Sequence, residues 1–307
     1  MKRIIAGLGA VSISASLLCA AVPSAVSDNA FVGTVSGVSA QVKAGAETFA
    51  KSMDESELLD LLDDQDPEVR KAALVNARHE MGIHTRVREK VMDMAEDTRE
   101  DVQVRREACR TLHFITNMPE AREALLDLAK GDREMPVRVM ATKALYHASL
   151  GDTDIRRELL SAAERGEPEI RKAALWALFD SNSDSDVTRF LQGVVSSRSE
   201  DTDIRLEALK SLYLGMNRSE VKDMMKDLAK SRGEDQALRV GAISALHAGK
   251  GDSDVQRLLE DLSKSSDREI KLAAVRALGD DPNFFLAYFH LGRRTGNHGY
   301  ISPIVDE

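Results

Sequence analysis

A repeated segment constrains this chain more than any other feature of its sequence. In seven copies an aliphatic residue precedes a basic one, alanine follows four positions after it, and leucine follows eight positions after it in six of them. Taken as position 0, the aliphatic residues recur every 32 to 35 residues: Val69, Val104, Val137, Ile170, Ile204, Leu238 and Ile270. Self-similarity at this period predicts an array of stacked units.

Each copy predicts two helices joined by a short turn. Positions 0, +4 and +8 form one stripe of an α-helix, and the constant alanine indicates close approach of two helices there. Another apolar helix core, such as Leu159-Leu160, lies upstream of each stripe. An acidic residue at position −3 fits a helix cap, because a carboxylate accepts hydrogen bonds from free N–H groups and opposes the helix dipole. These caps are Asp66, Asp101, Glu134, Glu167, Asp201, Asp235 and Asp267.

These columns resemble HEAT repeats, in particular the short variety of the phycobilin lyases. The resemblance covers about residues 46–294 and implies an all-α fold, an α-solenoid of about seven helix-turn-helix repeats with a C-terminal capping helix. The cap is expected after Asp281, followed by a tail at 295–307. The signatures of tetratricopeptide and ankyrin repeats are missing. The resemblance also implies a structural ladder of arginines at position +1: Arg70, Arg105, Arg138, Arg171, Arg205 and Arg239.

Residues 1–27 have the layout of a secretory signal peptide. Lys2 and Arg3 precede an uncharged stretch, and small residues allow cleavage after Ala21, Ala25 or Ser27. The alternative is an uncleaved membrane anchor, which the richness in Gly, Ser and Ala disfavours. Residues 28–45 alternate Gly, Ser and Val without helical period, which favours a flexible tether over a lone edge strand.

The charge balance limits the choice of partners and compartments. The chain has 42 basic and 51 acidic residues, and removal of the signal peptide takes the net charge from −9 to −11. Such a chain is repelled by nucleic acid and by anionic lipid. We therefore expect that it does not bind nucleic acid and does not insert into a membrane after cleavage. After this removal Cys109 is the one cysteine left. Because a disulfide needs two cysteines, an intramolecular disulfide cannot form.

A helical wheel places positions +2, +6 and +9 opposite the buried stripe, where they would line a concave groove. None of these 21 residues is acidic. Trp, Tyr and Arg dominate binding hot spots, so the aromatic members predict an anchor patch for a partner. The alternatives are rings that seal the stack and a solvated basic face that balances acidic outer helices. The predicted groove residues are Trp176, Phe179, Tyr146, Tyr213, Lys143, Lys172, Lys210, Arg106 and Arg110.

No catalytic or metal-binding pattern emerges from the sequence. The His-Glu pairs of deoxyhypusine hydroxylase are missing at +2/+3, and His79-Glu80 lies two turns later without a second copy. Cys109 aligns with Leu and Ile and is interpreted as a core residue. We therefore expect an exported, periplasmic or secreted, non-enzymatic scaffold that binds another protein or peptide without a cofactor. The basic columns favour an acidic partner. The alternative is a HEAT-like enzyme of lyase or hydrolase type.

Overall fold

The computed structural model describes residues 54–279, except the side chains of Asp180 and Asn182, and contains only helices and turns in this range. Fourteen of the α-helices in this range form seven pairs, numbered here as repeats one to seven, and the short helix Ala148–Gly151 lies between repeats three and four. The all-α solenoid prediction is confirmed. The predicted signal peptide, tether, capping helix and tail lie outside the described residues. The first helices of the repeats are Glu55–Leu62, Thr85–Glu96, Pro119–Gly131, Thr153–Arg165, Ser185–Ser196, Ser219–Lys230 and Ser253–Leu262. The second helices are Pro67–Glu80, Val102–Leu112, Met135–Ala144, Pro168–Ala177, Thr202–Ser211, Gln236–Ala245 and Arg268–Leu278.

The seven acidic residues at −3 all occupy the N-cap position of a second helix. The carboxylates of Asp66, Asp101, Asp235 and Asp267 accept hydrogen bonds from free backbone N–H groups, as in Asp267, which is 2.9 Å from Glu269 N. The other three make no such cap bond with their side chains. Oε2 of Glu167 instead lies 2.7 Å from Nη1 of Arg138 in the preceding repeat. This N-cap residue therefore forms an ion pair between two repeats.

The alanine column at +4 lies on the buried side of the second helices, and successive second helices pack against each other. All seven alanines are buried, and six of them are completely inaccessible. Position 0 is buried in repeats two to seven, and position +8 is buried in repeats one to six. Successive second helices contact each other more extensively than successive first helices. We call the surface that the second helices present the inner surface.

A ladder of ion pairs joins successive repeats beneath the turns that lead into the second helices. Arg205 shows the pattern: its Nε donates to Val195 O at 2.8 Å in its own repeat, and its terminal nitrogens lie 2.9 and 3.0 Å from Glu234 of the next repeat. The other pairs are Arg70 with Glu100, Arg105 with Asp132, Arg138 with Glu167 and Arg171 with Glu200. Four of these arginines thus hold the last turn of their own first helix and the next repeat together. Arg70 instead donates to Asp64 O and Gln65 O, in the turn that follows its first helix.

Arg239 departs from this ladder. Among residues 54–279 no carboxylate pairs with Arg239, and Ser266 stands just before the cap Asp267, where three other repeats carry their acidic partner. The acidic partners Glu100, Glu200 and Glu234 each directly precede a cap residue. In these three turns the ladder therefore uses two acidic positions, one for the helix and one for the preceding repeat, whereas Glu167 alone occupies both roles in repeat four.

The first helices carry a second, shorter set of such contacts. Arg122 donates to Thr116 O at 3.0 Å and lies 3.2 Å from Asp152 of the following repeat. Arg156 repeats this geometry with Ser149 O and Asp184, at 2.6 and 3.1 Å. Ion pairs thereby connect successive repeats through their first helices as well.

Every helix between residues 54 and 279 falls short of the length and apolar character that a membrane-spanning helix needs.

Candidate functional site

Position +2 forms a column of half-buried side chains along the inner surface, one from each second helix. We call these seven residues the inner column. Its members are basic or aliphatic, and none is acidic: Lys71, Arg106, Val139, Lys172, Leu206, Val240 and Leu272. The structure thus brings the predicted groove residues Arg106 and Lys172 into line with four aliphatic side chains. Such a column of partly exposed aliphatic and basic groups can pack on an extended polypeptide.

The expectation that position +9 projects from the inner surface is wrong for most repeats. The second helices of repeats two to six end at or before position +8, so the +9 residue belongs to a turn. In repeats two, four, five and six this turn is a 3₁₀-helix, such as Phe179–Ser183. A 3₁₀ turn advances the side chain by more than the 100° of an α-helix, which invalidates the wheel projection beyond the helix end.

The aromatic residues at +9 differ in exposure. Tyr146 and Phe179 are each 5% exposed, whereas Tyr213 is half-buried. Burial raises the pKa of the Tyr213 hydroxyl above its ordinary value. Tyr146 and Phe179 therefore seal the stack, and only Tyr213 offers part of its ring to the surroundings.

Trp176 is also buried, with 3% of its surface exposed. Its ring lies 5.4 Å from the ring of Tyr146 in the preceding repeat, and Lys143 Nζ lies 5.3 Å from the Trp176 ring centroid. Close packing of second helices places a bulky +6 residue between its neighbours. The prediction of an open patch of four aromatic rings is therefore wrong, because Trp176, Tyr146 and Phe179 are buried. Trp176 and Tyr146 instead form a contact between repeats three and four, with the Lys143 ammonium over the Trp176 ring.

Two histidines extend this aromatic contact toward repeat two. The rings of His113 and His147 stack at 4.7 Å, and the ring of Tyr146 lies 4.6 Å from that of His147. Nδ1 of His113 lies 2.9 Å from Ala144 O, and because a carbonyl only accepts, Nδ1 carries the proton. Burial lowers the pKa of His113 to about 4. His113 is accordingly a neutral structural group that caps the second helix of the next repeat.

The inner surface is less basic than the sequence columns indicate. Position +3, which the columns do not include, carries Glu107 and Glu207. Glu107 lies 3.3 Å from Arg110, and Glu207 lies 3.8 Å from Lys210. Arg110 is also nearly buried, with 9% of its surface exposed. Including position +3 in the wheel would have revealed these acids, because it lies only one residue from +2.

The inner-column cations also have neighbours of opposite charge or polarity. Lys172 lies 3.9 Å from Asp203 of the next repeat, and Lys71 lies 2.7 Å from Glu68. Arg106 donates to the side chain of Gln103 at 3.4 Å. Exposed pairs of this kind contribute little to stability but reduce the field that a partner experiences. The cations of the inner column are thus partly neutralised, whereas its aliphatic members stay partly exposed.

The described residues contain no group of three or more His, Cys, Asp or Glu side chains with the geometry of a metal site. Cys109 is completely buried, and burial raises the pKa of its thiol to about 12. A thiol with such a pKa is protonated and unreactive at neutral pH. The interpretation of Cys109 as a core residue is confirmed.

Comparison with known proteins supports the repeat assignment. A family model described as HEAT repeats matches residues 55–146. No match to the chain is found among curated proteins.

Three solved structures are similar to this chain at low identity. YibA of Escherichia coli is 16% identical, with 77% of this chain and 96% of that chain covered and a TM-score of 0.47. The complex of CpcE and CpcF of phycocyanin lyase from Nostoc sp. PCC7120 is 16% identical, with 77% and 94% covered and a TM-score of 0.45. Human deoxyhypusine hydroxylase is 17% identical, with 73% and 82% covered and a TM-score of 0.34.

Proposed function

We propose that this chain, whose residues 55–146 match a family model of HEAT repeats, is an exported, non-enzymatic scaffold that binds another protein or a peptide along its inner surface. The observation that carries the proposal is the inner column. Val139, Leu206, Val240 and Leu272 are aliphatic and half-buried at corresponding positions of four repeats. A partner that covers them removes apolar surface from water, at about 25 cal/mol per Å² buried.

The repeat spacing favours an extended partner. Packed helices lie about 8–10 Å apart, so neighbouring inner-column residues are separated by roughly three residues of an extended chain. An extended segment can thus contact successive repeats with side chains spaced along it. Because Arg110, Lys172 and Lys210 have nearby carboxylates, apolar contacts contribute most of the affinity. An acidic partner gains a smaller, salt-sensitive increment.

Site-specific photo-crosslinking in the native cell tests this function. A photoreactive benzoylphenylalanine is introduced singly at Val139, Leu206 or Val240 of the full chain. The matched control is Glu123, an exposed residue on the first helix of repeat three. We expect a discrete protein adduct of the same mass from the inner-column positions and none from Glu123. Equal adducts at Glu123, or no adduct at any inner-column position, would contradict the proposal.

The proposed export is based on Lys2, Arg3 and the uncharged stretch that follows. Its test is the intact mass and compartment of the protein made in its native cell. We expect a chain shortened at Ala21, Ala25 or Ser27 and recovered outside the cytoplasm. A full-length chain in the cytoplasm would refute export without affecting the scaffold proposal.

A further inference from the structure

A pocket of about 380 Å³ opens beside the turns that end repeats five and six. The residues that line it include Tyr213, Leu214, Met216 and Gly249. The ion pair between Lys222 and Asp252 also contributes to the lining. The pocket is distinct from the inner column and from the aromatic contact around Trp176.

The sequence explains why space is left here. Position +11 carries Gly215 and Gly249 in repeats five and six, whereas repeats two, three and four carry Ile115, Ala148 and Ser181. In repeats three and four this region is filled, because the hydroxyl groups of Ser149 and Ser181 meet at 2.8 Å. A Cβ on Gly249 would lie 3.8 Å from Cε of Met216 and 3.7 Å from Cδ of Lys222. Glycine thus leaves a space that larger side chains at +11 would reduce.

The pocket combines apolar walls with polar groups of balanced charge. Leu214 is 45% exposed, and Met216, which also lines the pocket, is buried. Methionine adapts its shape to different apolar groups. Lys222 and Asp252 contribute one charge of each sign, and Asn217 adds an amide. Such a set of donors and acceptors matches the neutral N–H and C=O groups of a polypeptide better than it matches a singly charged ion.

We infer that this pocket receives one bulky apolar side chain of the polypeptide that the scaffold binds. The inference rests on the proposed function and adds to it a defined anchor point. The volume is near the lower end of the range for ligand pockets, about 300–1,000 Å³. An aromatic or long aliphatic side chain would pack against Leu214 and Met216. Its adjoining backbone amides would face Asn217 and the ion pair.

A model compound that carries only an aromatic side chain and two amides tests the pocket directly. The probe is N-acetyl-L-phenylalanine amide, titrated into full-length protein labelled with ¹³C at the methionine methyl groups. Met216 is the reporter, assigned by comparison with a Met216→Leu variant. We expect a saturable shift of its methyl resonance as the probe binds.

Two variants alter the pocket and one provides a matched control. A Cβ on Gly251 would have no atom within 4 Å, so Gly251→Leu adds bulk beside the pocket without a clash. Gly233, in the turn between the helices of repeat six, has the same open surroundings, and Gly233→Leu serves as the control. Leu214→Gln removes the apolar wall at an exposed position. Circular dichroism verifies that all three variants retain the helical fold.

We expect the probe to bind at least tenfold more weakly to Gly251→Leu and Leu214→Gln, and unchanged to Gly233→Leu. The adduct from benzoylphenylalanine at Val240 should fall in the same two variants. An unshifted Met216 resonance would overturn the inference, and so would an undiminished adduct in Gly251→Leu. If no inner-column position gives an adduct in the chain without a pocket substitution, the proposed function is overturned instead. The two failures are distinguishable, since the probe titration does not depend on the partner.

Discussion

The ion pair between Arg205 and Glu234 offers the sharpest test of how the repeats are held together. Both side chains are largely buried, at 6% and 11% exposure, and two terminal nitrogens of Arg205 contact the carboxylate at 2.9 and 3.0 Å. Glu234→Gln preserves size but removes the charge opposite a buried guanidinium. Leaving one member of a buried pair uncompensated costs about 3–5 kcal/mol.

The lower end of this range applies here, because Glu234 keeps some contact with solvent and glutamine can still accept one hydrogen bond. We therefore expect Glu234→Gln to reduce the free energy of unfolding by about 3 kcal/mol. For a domain of roughly this size, 1 kcal/mol shifts Tm by about 2–4 °C, so the expected shift is about 6–12 °C. Glu269→Gln is the control, since Glu269 is 56% exposed beside Arg268, and it should change stability by less than about 0.5 kcal/mol.

The assay is urea unfolding followed by far-UV circular dichroism, with hydrogen exchange to locate the change. A repeat array is stabilised by the individual repeats and by the interfaces between neighbours. Weakening the interface of repeats five and six should therefore accelerate exchange in those two repeats before the others. A Glu234→Gln variant as stable as Glu269→Gln would refute the reasoning. So would a coupling energy near zero in the double-mutant cycle with Arg205→Met.

Three further predictions concern the repeat columns. Ala174→Leu inserts bulk between two closely packed second helices and should lower stability by about 1–3 kcal/mol in urea unfolding; stability equal to the parent chain would contradict the close approach. Asp101→Ala removes a cap that accepts two backbone N–H groups and should cost about 1 kcal/mol, whereas Asp201→Ala, whose side chain makes no cap bond, should cost less in the same assay. The hydrogen bond from the Arg171 guanidinium holds the pKa of Glu200 below its ordinary value of 4.5. The stability that this ion pair adds to the fold is therefore fully present above pH 4.5 and is lost as the pH falls through the lowered pKa of the folded state. Glu200→Gln should accordingly lose the most stability near neutral pH and progressively less in acid, and a pH-independent difference would refute the assignment.

The candidate site could be predicted only in part. The inner-column residues depend solely on helical phase, and Arg106 and Lys172 lie where the wheel places them. The residues at +9 could not be placed in this way, because the helix ends before them and the following turn has a different pitch. Trp176 shows a second limit: its phase is suitable for the inner surface, but the neighbouring helix lies so close that the ring is covered.

The ladder shows the same division between local pattern and packing. The position of Arg205 in its repeat follows from the period, yet its partner Glu234 lies 29 residues away and depends on how repeat six sits on repeat five. The exception at Arg239 has a local explanation once that geometry is known, because Ser266 occupies the place of the carboxylate. The pocket beside Gly249 likewise depends on an absent side chain whose effect appears only between stacked turns.

The sequence by itself determined the number of repeats, the starts of the second helices and the buried stripe, because these properties depend on residues within one or two turns of each other. Tertiary structure alone decided which of the remaining side chains are covered, which charges neutralise each other and where a pocket is left. Those outcomes depend on the distance and register between neighbouring repeats, and a column of residue types does not specify either quantity. The repeat thus predicts the scaffold, whereas the contacts between repeats determine the surface that a partner would meet.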